Sequence, residues 1–281
     1  MTPSRAPVVA GSFYPLEPDD LKESLDDCFV TSPLGPQLER VPAGDLVAGM
    51  VPHAGYIYSG PCAAHFYARL GRPVRRVIVI GVNHHGRGQR AAISPWHEWQ
   101  TPLGNVPVDT EFQDLISARV AFVKIDERPH REEHSIEVQL PFLQRQLEAF
   151  TFVPISLSHL DIQECAELGA AIAEACATLA DGGHRSVILA SSDLSHYLSP
   201  SETLRLDHLA LQRLLGLDAD GLIHTVQENA ISMCGFLPVA VMLFAARCLG
   251  AQHALLLKHY HSGEVKPMGE VVGYASVAVE R

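Results

Sequence analysis

Four short segments of this 281-residue chain carry the side chains best suited to chemistry. They are Val51-Pro52-His53-Ala54-Gly55-Tyr56, Gly81-Val82-Asn83-His84-His85-Gly86, Ser191-Ser192-Asp193-Leu194-Ser195-His196-Tyr197 and Met233-Cys234-Gly235. Imidazole and thiolate groups bind transition metals, and an imidazole beside a carboxylate moves protons near neutral pH. The first three segments each follow an apolar, β-branched run, and the fourth precedes a long apolar helical pattern. These residue types, gathered where strands end and helices begin, predict one composite site that binds a metal and transfers protons.

Each segment has its own logic. Pro52 stiffens the approach to His53, and Gly55 permits a tight turn after it. His84 and His85 are adjacent and should point apart, so His84, nearer the strand end, is the candidate ligand. His85 is placed behind it or toward a substrate. Cys234 precedes Gly235 and the apolar run Phe236–Leu249, which puts its sulfur at a helix N-terminus, a setting that favours thiolate. Asp193 and His196 are three residues apart, close enough for the carboxylate to orient an imidazole acting as acid or base.

Two other motifs compete. His130-Arg131-Glu132-Glu133-His134 fits the His-x-x-Glu-His pattern of some zinc peptidases, which needs a helix through 130–134. Pro129 and an apolar periodicity that begins only at Ser135 place the helix later, although His134 could still reach the site from the preceding loop. Ser192, Asp193 and His196 lack a Gly-x-Ser-x-Gly elbow and lie too close in sequence for a hydrolase triad. His97 beside Trp96 and Trp99 suggests a lid or an interface. His259 and His261 could line the same edge as the other histidines.

The elements that must position these groups are legible from periodicity. Short continuous apolar runs predict strands at Leu46–Val51, Val74–Val82, Ala121–Ile125, Phe152–Leu157, Ser186–Ser191, Ala254–Lys258 and Val271–Val279. Helices are expected at Asp19–Phe29, Gly60–Leu70, Asp109–Ala118, Ser135–Phe150 (kinked at Pro141), Asp161–Leu179, Ser201–Leu215, Asp218–Glu228 and Gly235–Leu249. The alternation predicts an α/β three-layer sandwich with a mostly parallel or mixed central sheet flanked by helices. No linker divides it, so residues 1–281 read as a single domain. In such sheets ligands bind beyond the carboxyl ends of the strands, where His53, His84, Asp193 and His196 all fall.

Composition removes some function classes. There are 21 Lys and Arg against 32 Asp and Glu, a formal charge of −11, and no basic stripe. Nucleic acid and anionic membrane surfaces are therefore not expected partners. The segment Met1–Pro7 lacks the apolar core of a signal peptide, and no apolar run nears the roughly 20 residues of a membrane helix. Six cysteines without a Cys-x-x-Cys pair fit a reducing compartment. The expected location is the cytoplasm.

Read in order, Val8-Val9-Ala10-Gly11-Ser12-Phe13-Tyr14-Pro15, Pro52-His53-Ala54-Gly55-Tyr56, Asn83-His84-His85, Glu133-His134-Ser135-Ile136-Glu137, Ser191-Ser192-Asp193-Leu194-Ser195-His196 and Cys234-Gly235 resemble the Memo family. Its prokaryotic members are often called AmmeMemoRadiSam system protein B. The resemblance runs from about Pro7 to the C-terminal strand. It implies a fold similar to the catalytic subunit of class III extradiol dioxygenases, which use non-haem iron(II). It also implies His53, His84 and Cys234 as metal ligands, with His196, Asp193 and His134 lining the pocket. Radical-SAM and AMMECR-type proteins are the partners it implies. In the dioxygenases the third ligand is a carboxylate, so Cys234 in that place changes charge, softness and redox potential. Val82 stands where the family often has proline.

Two imidazoles and a thiolate also accept zinc with an open water position, or copper in a trigonal array. Iron(II) is favoured by the resemblance. The expected function is that of a metal-dependent redox enzyme, oxygenase- or oxidase-like, with His196 transferring a proton under the orientation of Asp193. The rival expectations are a peptide-binding or scaffold protein using the same pocket without turnover, and a zinc-dependent hydrolase. The substrate, a small molecule or a peptide, is not named by the sequence.

Overall fold

The structure is a computed structural model and describes residues 4–41, 44–71, 73–180 and 185–281. The predicted runs do form strands. They assemble into a nine-stranded mixed sheet in the order His196–Leu198, Val271–Glu280, Leu46–Val51, Arg185–Ser191, Val74–Val82, Thr151–Leu157, Ala91–Ile93 and Lys124–Ile125, with His253–His261 pairing Val271–Glu280. The four strands from Leu46–Val51 to Thr151–Leu157 are mutually parallel. Val271–Glu280 runs antiparallel to its neighbours.

Alternate residues along the parallel strands enter two separate cores. Met50, Ile78, Ile80, Ile155 and Ile188 pack on one face with helices Ile162–Thr178 and Phe236–Cys248. Val77, Val79, Phe152, Val187 and Leu189 pack on the other with helices Pro18–Asp26 and Tyr56–Tyr67. A strand covered on both faces needs apolar residues at every position, which is why these runs are continuous rather than alternating. Gly49 is closely packed: a Cβ there would lie 2.2 Å from the Phe66 ring and 2.4 Å from the Val277 carbonyl.

Several boundaries differ from the sequence reading. The helix expected at Ser135–Phe150 is a 3₁₀ turn, Glu137–Gln139, followed by a helix over Leu140–Gln146. Pro141 sits in the first turn of that helix, where its missing N–H costs nothing, so it starts the helix rather than kinking it. Ala121–Ile125 shrinks to the two-residue strand Lys124–Ile125. A second, three-stranded sheet of Ser4–Arg5, Glu98–Thr101 and Gly104–Pro107 was not foreseen. It buries Trp99 completely, so Trp99 is core rather than lid.

The N-terminal segment is pinned by charge. Arg5 lies 4.1 Å over the Trp99 ring, and it donates to the carbonyls of His130 and Glu133, both at 2.7 Å, and to the Glu137 carboxylate at 2.7 Å. Glu137 is fully buried and also accepts from Val8 N, Val9 N and the Tyr14 hydroxyl. Among the described residues no helix is long and apolar enough to cross a membrane.

Gly49→Ala should lower the thermal midpoint through overpacking, at a cost of about 1–3 kcal/mol. Differential scanning calorimetry checks this; an unchanged midpoint would contradict the packing described around Gly49.

Candidate metal centre

Strands Leu46–Val51, Arg185–Ser191 and Val74–Val82 lie side by side and end at one edge of the sheet. The outer two ends are separated by two strand spacings, roughly 10 Å. His53 and His84 reach toward each other from those ends, over the small Ser191 that closes the central strand. Their ring centroids are 5.2 Å apart at 85°. His134 arrives from the loop before the 3₁₀ turn, stacks on His84 at 4.9 Å and 15°, and meets His53 edge-on at 5.3 Å. One ligating atom from each of the three lies within 4.8 Å of the others, so the group could hold a metal ion.

Glu133 brings two of these histidines together. Its carboxylate accepts from the His84 backbone N–H and from His84 Nδ1, each at 2.9 Å. It also accepts from the backbone N–H groups of His134 and Ser135 at 2.9 Å. Burial alone would raise this carboxyl, but the His84 hydrogen bond and the neighbouring imidazoles and N–H donors outweigh it and hold it well below the usual range. Gly81 allows the Glu133–Ile136 segment to sit this close, since a Cβ there would meet Ile136 at 2.5 Å and Ser135 Oγ at 2.7 Å.

His53 is held from behind. Its backbone N–H donates to Asp193 Oδ1 at 2.8 Å, and its Nδ1 lies 2.9 Å from Ser191 Oγ. Its Nε2 faces Cys234 Sγ at 3.2 Å. Gly235 presses against the central strand: its N–H donates to Ser192 Oγ at 3.0 Å, and a Cβ would lie 2.4 Å from the Ser191 carbonyl. Cys234 therefore sits beside the histidines and just ahead of helix Phe236–Cys248, as its sequence position predicts.

The expected thiolate does not follow. Burial, and next the charge of Asp193, push the Cys234 thiol above its ordinary range. Burial also raises Asp193. Burial and then the charge of His84 lower His53 to about 3, while burial and then His53 lower His134 to about 4. These two imidazoles are neutral at pH 7, the form that binds metal.

The cluster opens into a pocket of about 500 Å³ walled by Phe13, Tyr197, Val272 and Tyr274. No Lys or Arg is among its lining residues. His196 lines it as expected, but its Nδ1 donates to the Ser232 carbonyl at 2.9 Å. Ser232, not Asp193, orients that ring, while Asp193 Oδ1 accepts from the His53 backbone N–H. His85 is exposed and bonds the Glu132 carbonyl, and His259 pairs with buried Asp207 at 3.0 Å. Neither lines the pocket. Glu133, Ser191 and Phe13 stand within motifs read from the sequence, but sequence reasoning gave none of them a role in the site. The His-x-x-Glu-His match was a signal for Glu133, whereas Ser191 and Phe13 have no metal- or proton-binding signature of their own.

A family profile described as Memo-like protein matches residues 5–278. The chain belongs to the Memo family. Similar proteins include the MEMO1 family protein of Methanopyrus kandleri, 38% identical over 285 residues with 99% of each chain covered. Those of Methanosarcina barkeri (38% over 278 residues, 98% of this chain and 100% of the other) and Pyrobaculum aerophilum (39% over 283 residues, 99% of each) are alike in extent. The range matched by the Memo profile includes every residue that lines the pocket.

The zinc-peptidase motif is split in this Memo chain. A single-turn helix, Arg128–Arg131, carries His130 into the core against Trp99, with ring centroids 5.8 Å apart. Only Glu133 and His134 reach the pocket edge. Burial, then the charge of Arg5, lower His130 from 6.5 to about 3. A depressed folded pKa means its neutral burial stabilises fully above pH 6.5 and progressively less as pH falls toward 3. Denaturant midpoints of His130→Leu should therefore fall less steeply than wild type between pH 6.5 and 4. Parallel profiles would contradict this.

Proposed function

We propose that this pocket is a mononuclear metal centre of a redox enzyme, oxygenase- or oxidase-like. The observation that carries the reading is convergence from the rear. Ser191 and Glu133 engage the Nδ1 atoms of His53 and His84, so the opposite nitrogens are free to face the group shared with His134; Cys234 lies outside that three-histidine group but meets His53 Nε2. Metal-binding imidazoles are typically oriented in this way by a hydrogen bond on the other ring nitrogen.

The donor set fits a transition metal. Neutral imidazoles and a thiol that can ionise accept iron(II), copper or zinc, with iron(II) favoured by the likeness to the extradiol dioxygenases. The expected holders are His53, His84 and Cys234, with His134 as the fourth donor at hand. When bound, iron(II) would supply Lewis acidity and one-electron chemistry at its open positions.

The chain's own residues do the rest. His196 gives its Nδ1–H to Ser232, which leaves Nε2 to take or deliver a proton within the pocket. Phe13, Tyr197 and Tyr274 offer flat apolar walls, and with no lining Lys or Arg the pocket favours neutral, ring-bearing substrates over anionic ones. Asp193 fixes the His53 backbone.

Replacing Cys234 by Ser should sharply lower metal occupancy after anaerobic purification, measured by elemental analysis. Retained occupancy in Cys234→Ser together with loss in His134→Ala would move the third ligand to His134. Glu133→Gln should weaken metal affinity by roughly 10–100-fold, as loss of such rear partners does elsewhere. Metal-dependent O₂ uptake with small redox substrates tests the redox reading. Turnover that persists without O₂ would favour zinc-type hydrolysis, and intact metal binding with no turnover on a broad panel would favour a peptide-binding role.

A further inference from the structure

The hydrogen-bond directions behind His53 can be solved without ambiguity, and they assign a role to Ser191. A serine hydroxyl has one hydrogen and two lone pairs. Three polar atoms surround Ser191 Oγ: the Ser135 carbonyl oxygen at 2.6 Å, Gln139 Nε2 at 2.9 Å and His53 Nδ1 at 2.9 Å. Each must be matched to one of those three valences.

Gln139 is fixed first. Its Nε2 lies 3.0 Å from the Pro52 carbonyl, which can only accept, and its Oε1 accepts from the Tyr67 hydroxyl at 2.7 Å. Turning the amide over would set oxygen against oxygen at Pro52. Gln139 therefore donates to Ser191 and occupies one lone pair. The Ser135 carbonyl is also acceptor-only, and an O–O distance of 2.6 Å is repulsive unless a hydrogen lies between. That takes the single hydroxyl hydrogen. What remains for His53 is a lone pair, so His53 Nδ1 must carry the proton and donate it.

We propose that Ser191, locked by the Ser135 carbonyl and Gln139, is a positioning residue that sets the tautomer of His53. In a neutral ring with Nδ1–H, Nε2 has no proton. Nε2 is the atom that faces Cys234 Sγ at 3.2 Å. The lone pair needed for a metal is thus aimed into the cluster before any ion arrives. The tautomer follows from the hydrogen bonds alone; its consequence for metal affinity rests on the metal-centre reading.

The test uses the full-length, metal-free protein labelled with ¹⁵N-histidine. Long-range proton–nitrogen correlation of the imidazoles, with His53 assigned by its disappearance in His53→Gln, reports which nitrogen carries hydrogen. The expected result is a protonated Nδ1 and a bare Nε2. A protonated Nε2 with a bare Nδ1 overturns the proposal whatever the metal does. In Ser191→Ala the exclusive Nδ1–H pattern should be lost and affinity for zinc(II) alone should fall roughly 10–100-fold. Ser191→Thr, which keeps the hydroxyl, should restore both. Unchanged tautomer and zinc affinity in a folded Ser191→Ala protein would overturn the positioning role. The expected wild-type tautomer without zinc binding at the pocket would sink the metal reading and leave the tautomer assignment standing.

Discussion

One buried carboxylate holds the centre together. Glu133 gathers four N–H donors from two segments that meet only through tertiary structure, the turn after Val74–Val82 and the loop before Glu137–Gln139. A buried charge without such partners is costly, so the two segments cannot drift apart without exposing the carboxylate or leaving it unpaired. The spacing of His84 and His134 is therefore fixed by the solvation of Glu133 rather than by any attraction between imidazoles, which would repel each other if both were charged.

A second layer steadies the first. Arg5 donates to the Glu133 carbonyl and to the Glu137 carboxylate, and Glu137 in turn binds the backbone at Val8 and Val9. This brings Phe13 against His134, with ring centroids 4.7 Å apart, and its carbonyl accepts from Tyr56 N at 2.8 Å. Order thus passes from an N-terminal ion pair to the loop of Glu133 and on to the histidines.

Much of this was legible in the sequence, for identifiable reasons. The parallel strands are covered on both faces, so Leu46–Val51 and Val74–Val82 read as unbroken apolar runs, and the residues just beyond them had to lie at one edge. The adjacency of Cys234 to a helix start was equally plain. Less local facts were hidden. The protonation of Cys234 depends on burial and on Asp193, which no neighbour in sequence reveals. The partner of His196 is Ser232, brought in across 36 positions, while the nearer Asp193 is engaged elsewhere. The strand Ser4–Arg5 is too short to show a period, and its importance lies in an arginine that finds its acceptors more than 120 residues away.

The pocket walls come from both extremes of the chain: Phe13 on one side, Val272 and Tyr274 on the other. During synthesis the histidines emerge from the ribosome long before the final strand can pair with Leu46–Val51. A nascent polypeptide can therefore display imidazoles, but the enclosed chamber around them forms only after Val271–Glu280 has been made. Such long-range closure is slow, so the histidines are made well before the strand that completes their enclosure.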